Sequence, residues 1–147
     1  MIRITAFLAL SLILALSAGA QNAEQSKDAA VRLERMLYGT WHGPDCGGDW
    51  TYKGDGTFEA ERYSPGNNKL IGTWSIKWDS LPPTLVQTCK TSDDPDLEGK
   101  TWEVRLIQLD STALTHQRLD QYPRGHLVRF TRQLKTPEQV PTDCCKE

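Results

Sequence analysis

The sequence predicts an all-β domain of about eight short antiparallel strands in meander order, closed as an up-and-down barrel behind one short helix. Three observations predict it. Past residue 38 the chain is a succession of alternating runs, rich in β-branched and aromatic residues and cut by Gly, Pro, Asn and Asp. No helical pattern separates these runs, so the crossovers that parallel strands require are missing and neighbours pair antiparallel. Finally, short strands with one apolar face must bury it, and closing the sheet on itself also removes exposed edges.

The elements follow in order. Arg3, an apolar run from Ile4 to Leu16 and the small residues Ala18-Gly19-Ala20 have the order of a cleavable export signal. The run is shorter than the roughly 20 residues of a transmembrane helix, so residues 1–20 read as a leader and the mature chain starts at Gln21. No cysteine follows the cleavage site to carry a lipid, and no later stretch approaches a membrane span. Residues 21–37 form an N-terminal helical segment. Ala30, Leu33 and Leu37 share a helix face, Ser26 or Asp28 caps its start, and Gly39 is a natural stop.

Residues 38–134 form the barrel. Its strands are expected at Thr40–His42, Asp49–Lys53, Thr57–Tyr63, Lys69–Trp78, Thr84–Thr91, Lys100–Leu109, Thr112–Leu119 and His126–Leu134. Gly54-Asp55-Gly56 marks a tight hairpin and Ser64 to Asn68 is dense turn chemistry. Leu81-Pro82-Pro83 breaks the chain, and Ser92 to Gly99 is an acidic loop. In the third strand Phe58 and Ala60 oppose Glu59 and Glu61; in the fourth Leu70, Trp74, Ile76 and Trp78 share a face. Residues 135–147 are a cysteine-containing tail without periodicity.

Several function classes find no support. The formal net charge is −2 with both signs interspersed, which gives neither the basic face of a nucleic-acid binder nor a polybasic membrane patch. No strand–turn–helix nucleophile motif is present. Glu59 and Glu61 share a face like an acid and nucleophile pair, but opposite Phe58 and Ala60 that face is solvent. Asp93, Asp94, Asp96 and Glu98 offer oxygen ligands, yet Pro95 interrupts them and the spacing is not that of a calcium loop. No catalytic residue, metal site or cofactor is expected.

Tyr38-Gly39-Thr40-Trp41, at a helix-to-strand junction, resembles the G-x-W signature that opens the first strand of lipocalins. The last strand, Leu127-Val128-Arg129-Phe130-Thr131-Arg132, resembles theirs in ending on arginines. Tyr52 to Phe58 followed by Gly72-Thr73-Trp74 is similar to small bacterial lipocalin-like domains. The resemblance implies that Trp41 closes the barrel base with Arg129 or Arg132 packed across it. It also implies a small apolar or amphipathic ligand inside the barrel, held without chemistry. Phe58, Trp74, Trp78 and Trp102 are the candidates for its wall; the competing reading is that they fill the interior, which side chains alone can occupy in a barrel of about eight strands. His116 and Arg118 share one face. The pair would orient a carboxylate if that face is internal and would be ordinary surface otherwise.

Cys46, Cys89, Cys144 and Cys145 suit disulfides in an exported domain. The loops after the first and fifth strands lie at one barrel end, which allows a Cys46–Cys89 bridge contributing roughly 4 kcal/mol by loop entropy. Cys144 and Cys145 would then form a strained vicinal bond, since adjacent α-carbons lie about 3.8 Å apart. In the rival pattern, implied by the way lipocalins staple their tails, one of the pair bonds Cys46 and the other Cys89. An alternative function is a protein-binding module, an envelope inhibitor or assembly factor, that uses the loops at one barrel end. Either reading places the protein in a periplasm or outside the cell.

Overall fold

The computed structural model describes residues 25, 27–44, 47–62, 68–119 and 126–133. The chain divides into two compact units, residues 1–33 and 34–147. Residues 27–33 of the first are helical, and residues 34–37 of the second complete the run, α1, residues 27–37. Residues 1–20, Ser26, Cys46 and the tail with Cys144 and Cys145 lie outside the described residues. Among the described residues no helix is long and apolar enough to cross a membrane.

The second unit is a closed antiparallel barrel of eight strands in sequence order. They are β1 (Gly39–His42), β2 (Asp49–Tyr52), β3 (Thr57–Arg62), β4 (Asn68–Lys77), β5 (Thr84–Ser92), β6 (Thr101–Leu109), β7 (Ala113–Arg118) and β8 (Leu127–Arg132). Closure rests on two rungs, Trp41 opposite Arg132 and His42 opposite Thr131, extended by the Gln133 amide donating to the Thr40 carbonyl at 3.0 Å. The fold class expected from the alternation is therefore the one formed.

Alternation decides which side chains enter the interior. Phe58 and Ala60 are buried in β3, Leu70 and Trp74 in β4, Leu85 and Cys89 in β5, Val104 and Leu106 in β6, and Leu114 and Phe130 in β7 and β8. Two register shifts interrupt this parity, between Ile71 and Gly72 and between Leu106 and Gln108. After the second, Leu109 faces Leu114 and the apolar side returns inward. A bulge of this kind bends the strand and raises its twist, which a small closed barrel requires.

The acidic loop between β5 and β6 is held by its own carboxylates. Asp94 caps the 3-10 turn Pro95–Leu97 by accepting from the Asp96 amide at 3.0 Å. Asp93 accepts from the Lys69 amide at 3.0 Å, and Glu98 from the Ser92 amide at 3.3 Å. Glu59, on the outer face, accepts from Lys53 at 2.5 Å.

Candidate functional site

The up-and-down order gives the barrel two unlike ends. Connections β2–β3, β4–β5 and β6–β7 share the base with the entry from α1; the other four connections share the mouth.

The base is plugged. Trp41 is fully buried, and its indole N–H donates to the Leu37 carbonyl at 2.8 Å. The Arg132 guanidinium lies 4.3 Å from the centre of that ring and donates to the carbonyls of Met36 and Tyr38, the latter at 2.8 Å. One arginine thus stacks on the plug and binds the last carbonyls around the helix end, which have no partner within a helix. Arg129 is exposed, because β8 alternates Val128, Phe130 and Arg132 inward. Gly39, with φ at +117°, brings the chain from α1 into β1; a Cβ there would lie 2.9 Å from Arg132 Nη1.

Above the plug the interior is aromatic and packed. Trp50 stacks on Phe58 at 5.7 Å between ring centres, and Tyr52 meets the Trp74 ring edge-on at 6.0 Å. Trp74 donates its N–H to the carbonyls of Lys53 at 3.1 Å and Thr57 at 2.9 Å, bracing the β2–β3 hairpin from within. The buried Tyr52 hydroxyl accepts from the Gln87 amide at 2.9 Å, and burial pushes the phenol above its ordinary pKa. Trp50, Tyr52 and Gln87 were not among the candidate ligand-binding residues read from the sequence, although Trp50 and Tyr52 stand two apart on one strand face.

The candidate wall residues therefore separate. Phe58 and Trp74 belong to the packed interior. Trp78, expected on the same face as Trp74, lies past the last β4 rung, Lys77 opposite Thr84, and is 39% exposed. With no ladder beyond Lys77, nothing carries its side chain inward. Of the remaining three, Trp102 and Arg118 meet near the mouth, and His116 lies deeper on β7. Val104 opposite Arg118 and Leu106 opposite His116 put both polar residues on the inner-face side of β7, with His116 half-buried and Arg118 exposed at the strand end. Trp102 joins this face opposite Gln87.

Trp102 and Arg118 line a cavity of about 280 Å³ with Thr101, Glu103 and Leu119. Glu103 on its rim pairs with Lys77 at 2.6 Å. Below Arg118 the His116 ring lies 5.1 Å from that of Phe130, and its Nδ1 is buried without a hydrogen-bond partner. Burial first, and the Arg118 charge second, hold this imidazole down to about pKa 4, so it is neutral at neutral pH. A second cavity of about 310 Å³ lies over Thr40, Asp49, Glu59, Glu61 and Lys69 on the outer face. Among the described residues no group of His, Cys, Asp or Glu is placed to hold a metal ion. Cys89 is fully buried, donates to the Thr91 carbonyl at 3.3 Å, and has its thiol pKa raised by burial. Its expected partners lie outside the described residues.

The strands thus define a closed eight-stranded antiparallel barrel, compatible with a calycin-like architecture, with a cavity between β6 and β7 lined by Trp102 and Arg118 among the described residues. No protein-family model matches the chain, and no curated protein matches it.

Proposed function

We propose that the chain is an exported, non-catalytic lipocalin-like domain that binds a small amphipathic molecule at the mouth of its barrel. The observation that carries this reading is the cavity between β6 and β7, whose lining combines the aromatic Trp102 and the apolar Leu119 with the charged Glu103 and Arg118. Ligand pockets combine such walls with few polar groups, and at about 280 Å³ this one suits a small ligand. The aromatic packing around Phe58 and Trp74 favours a ligand seated at the mouth over one buried along the barrel axis.

A second reading has one observation in its favour. The β4–β5 connection presents Leu81, 91% exposed, together with Trp78 at the base, and an apolar loop tip of this kind suits a protein-binding module. Native mass spectrometry of the mature protein purified from its own host separates the two. An excess mass that leaves on denaturation, and that Trp102→Ala loses, supports the mouth site. A clean apo mass in the wild-type protein would sink it and transfer the reading to the Leu81 loop.

A further inference from the structure

On the outer face of the barrel two rows of side chains cross the strands from β1 to β4. One runs through Thr40, Thr51, Glu59 and Ile71, the other through His42, Asp49, Glu61 and Lys69. The cavity of about 310 Å³ lies between them. Thr40 and Thr51 bond to each other through their hydroxyls at 2.9 Å, so short side chains form its floor. Lys53 engages Glu59 at 2.5 Å, and His42 engages Asp49 at 2.7 Å. Glu61 and Lys69 stand opposite each other on the ladder, yet among the described residues neither makes an ion pair. Ile71, 49% exposed, adds an apolar contact at the β4 end. Moving away from β1, the groove therefore offers a carboxylate, then an ammonium and an apolar side chain.

The chain's own C-terminal segment starts at this groove. The Gln133 amide donates to the Thr40 carbonyl at 3.0 Å, and Thr40 is the first residue of the groove. The sequence then continues Leu134-Lys135-Thr136-Pro137-Glu138-Gln139-Val140-Pro141. Thr136 and Val140 each precede a proline, a position biased to extended backbone. Strands lie about 4.8 Å apart, so β4 is roughly 19 Å from β8 along the sheet, and an extended chain at about 3.3 Å per residue covers that in about six residues. Counted this way, Lys135 falls within side-chain reach of Glu61, Glu138 of Lys69, and Val140 of Ile71. We propose that residues 134–140 dock in this groove as a strap across β1 to β4, with Lys135 pairing with Glu61, Glu138 with Lys69, and Val140 covering Ile71. The strap crosses the closing seam, where β1 and β8 share two rungs. A tethered segment acts at an effective concentration of about millimolar, so it fills the groove ahead of a free peptide or a second copy. No sulfur takes part in the contact.

The test is made on the full mature wild-type chain. A water-soluble carbodiimide joins an amine to a carboxylate only where the two lie in salt-bridge contact, and peptide mass spectrometry locates the link. Lys135 is expected to link to Glu61 at least about tenfold more than to the exposed Asp79, with a yield independent of protein concentration, as tethering requires. The same link is expected after the protein has been reduced. With Ile71 replaced by the photo-crosslinker p-benzoylphenylalanine, irradiation is expected to capture residues 138–142. The same replacement at Ile107, exposed on β6, captures none of them. Links from Lys135 that spread evenly over surface carboxylates, or no link at all, overturn the strap. A Lys135–Glu61 link whose yield rises with concentration overturns it in favour of a second copy. A link lost on reduction shows that a disulfide and not the groove holds the tail, and overturns it too. A folded Ile71 variant that captures nothing of the tail overturns the crossing to β4. The wild-type link needs no variant, so it decides the matter even if the Ile71 replacement fails to fold.

Discussion

Gly72→Ala adds one methyl group to the inner face of β4, and the structure leaves no room for it. A Cβ at Gly72 would stand 2.1 Å from the Thr88 carbonyl oxygen, and 2.5 and 2.8 Å from Cε1 and Cζ of the Phe58 ring. Both obstacles are rigid: the carbonyl is β5 backbone, opposite the register shift at Ile71/Gly72, and Phe58 is fully buried beneath Trp50. Overpacking a tight core costs about 1–3 kcal/mol and occasionally more, and a clash with backbone places this substitution at the upper end. A loss of about 3 kcal/mol lowers the melting temperature of a domain this size by roughly 12–24 °C. Gly99→Ala is the control. Gly99 has φ at +74° with nothing within 4 Å of its would-be Cβ, so the change brings only backbone strain of about 1–2 kcal/mol, partly offset by a stiffer unfolded chain. Thermal and urea unfolding of both variants should rank Gly72→Ala about 2 kcal/mol below Gly99→Ala. Adding Phe58→Leu to Gly72→Ala should recover less than half of the loss, because the nearer obstacle is the Thr88 carbonyl and not the ring. A Gly72→Ala protein that melts within a few degrees of wild type would refute the β4–β5 register and the packing argued from it.

Two further perturbations address the plug and the mouth. Arg132→Met keeps most of the side-chain volume over Trp41 but removes the charge and both hydrogen bonds to the helix-end carbonyls. It should destabilise the barrel by about 3 kcal/mol in urea unfolding, whereas Arg129→Met, at an exposed position, should stay within about 0.5 kcal/mol of wild type; equal effects would rule out the stacked geometry. The His116 imidazole, ordinarily near pKa 6.5, is held at about 4 in the folded protein. The unfolded chain therefore binds the proton first. Stability is full above pH 6.5 and falls between there and 4, by about 3 kcal/mol over the window. His116→Phe should flatten that part of the stability–pH curve, and an unchanged slope would show that the imidazole is not buried as described.

The strands, their order and the antiparallel barrel are legible in the sequence, because turn residues cut the chain into alternating runs and no helix interrupts them. Phe58 and Ala60 are recognisably internal for the same reason: Glu59 and Glu61 between them demand solvent. Alternation, however, separates a strand into two faces without saying which one is inner when both carry polar or aromatic groups. His116 and Arg118 were ambiguous on that ground, and only their pairing with Leu106 and Val104 across β6 puts them on the inner-face side, His116 half-buried and Arg118 exposed at the strand end. Parity also carries no information about where a ladder stops, so Trp78 reads like Trp74 until the last rung at Lys77 leaves it outside. The choice of Arg132 over Arg129 at the plug follows from the register of the closing pair β1–β8. Sequence determined the elements, since local turn chemistry and side-chain period are properties of neighbouring residues. Tertiary structure decided the mouth, because its residues come from β6 and β7 at a register set by a bulge and by barrel closure, which depend on residues far apart in the chain.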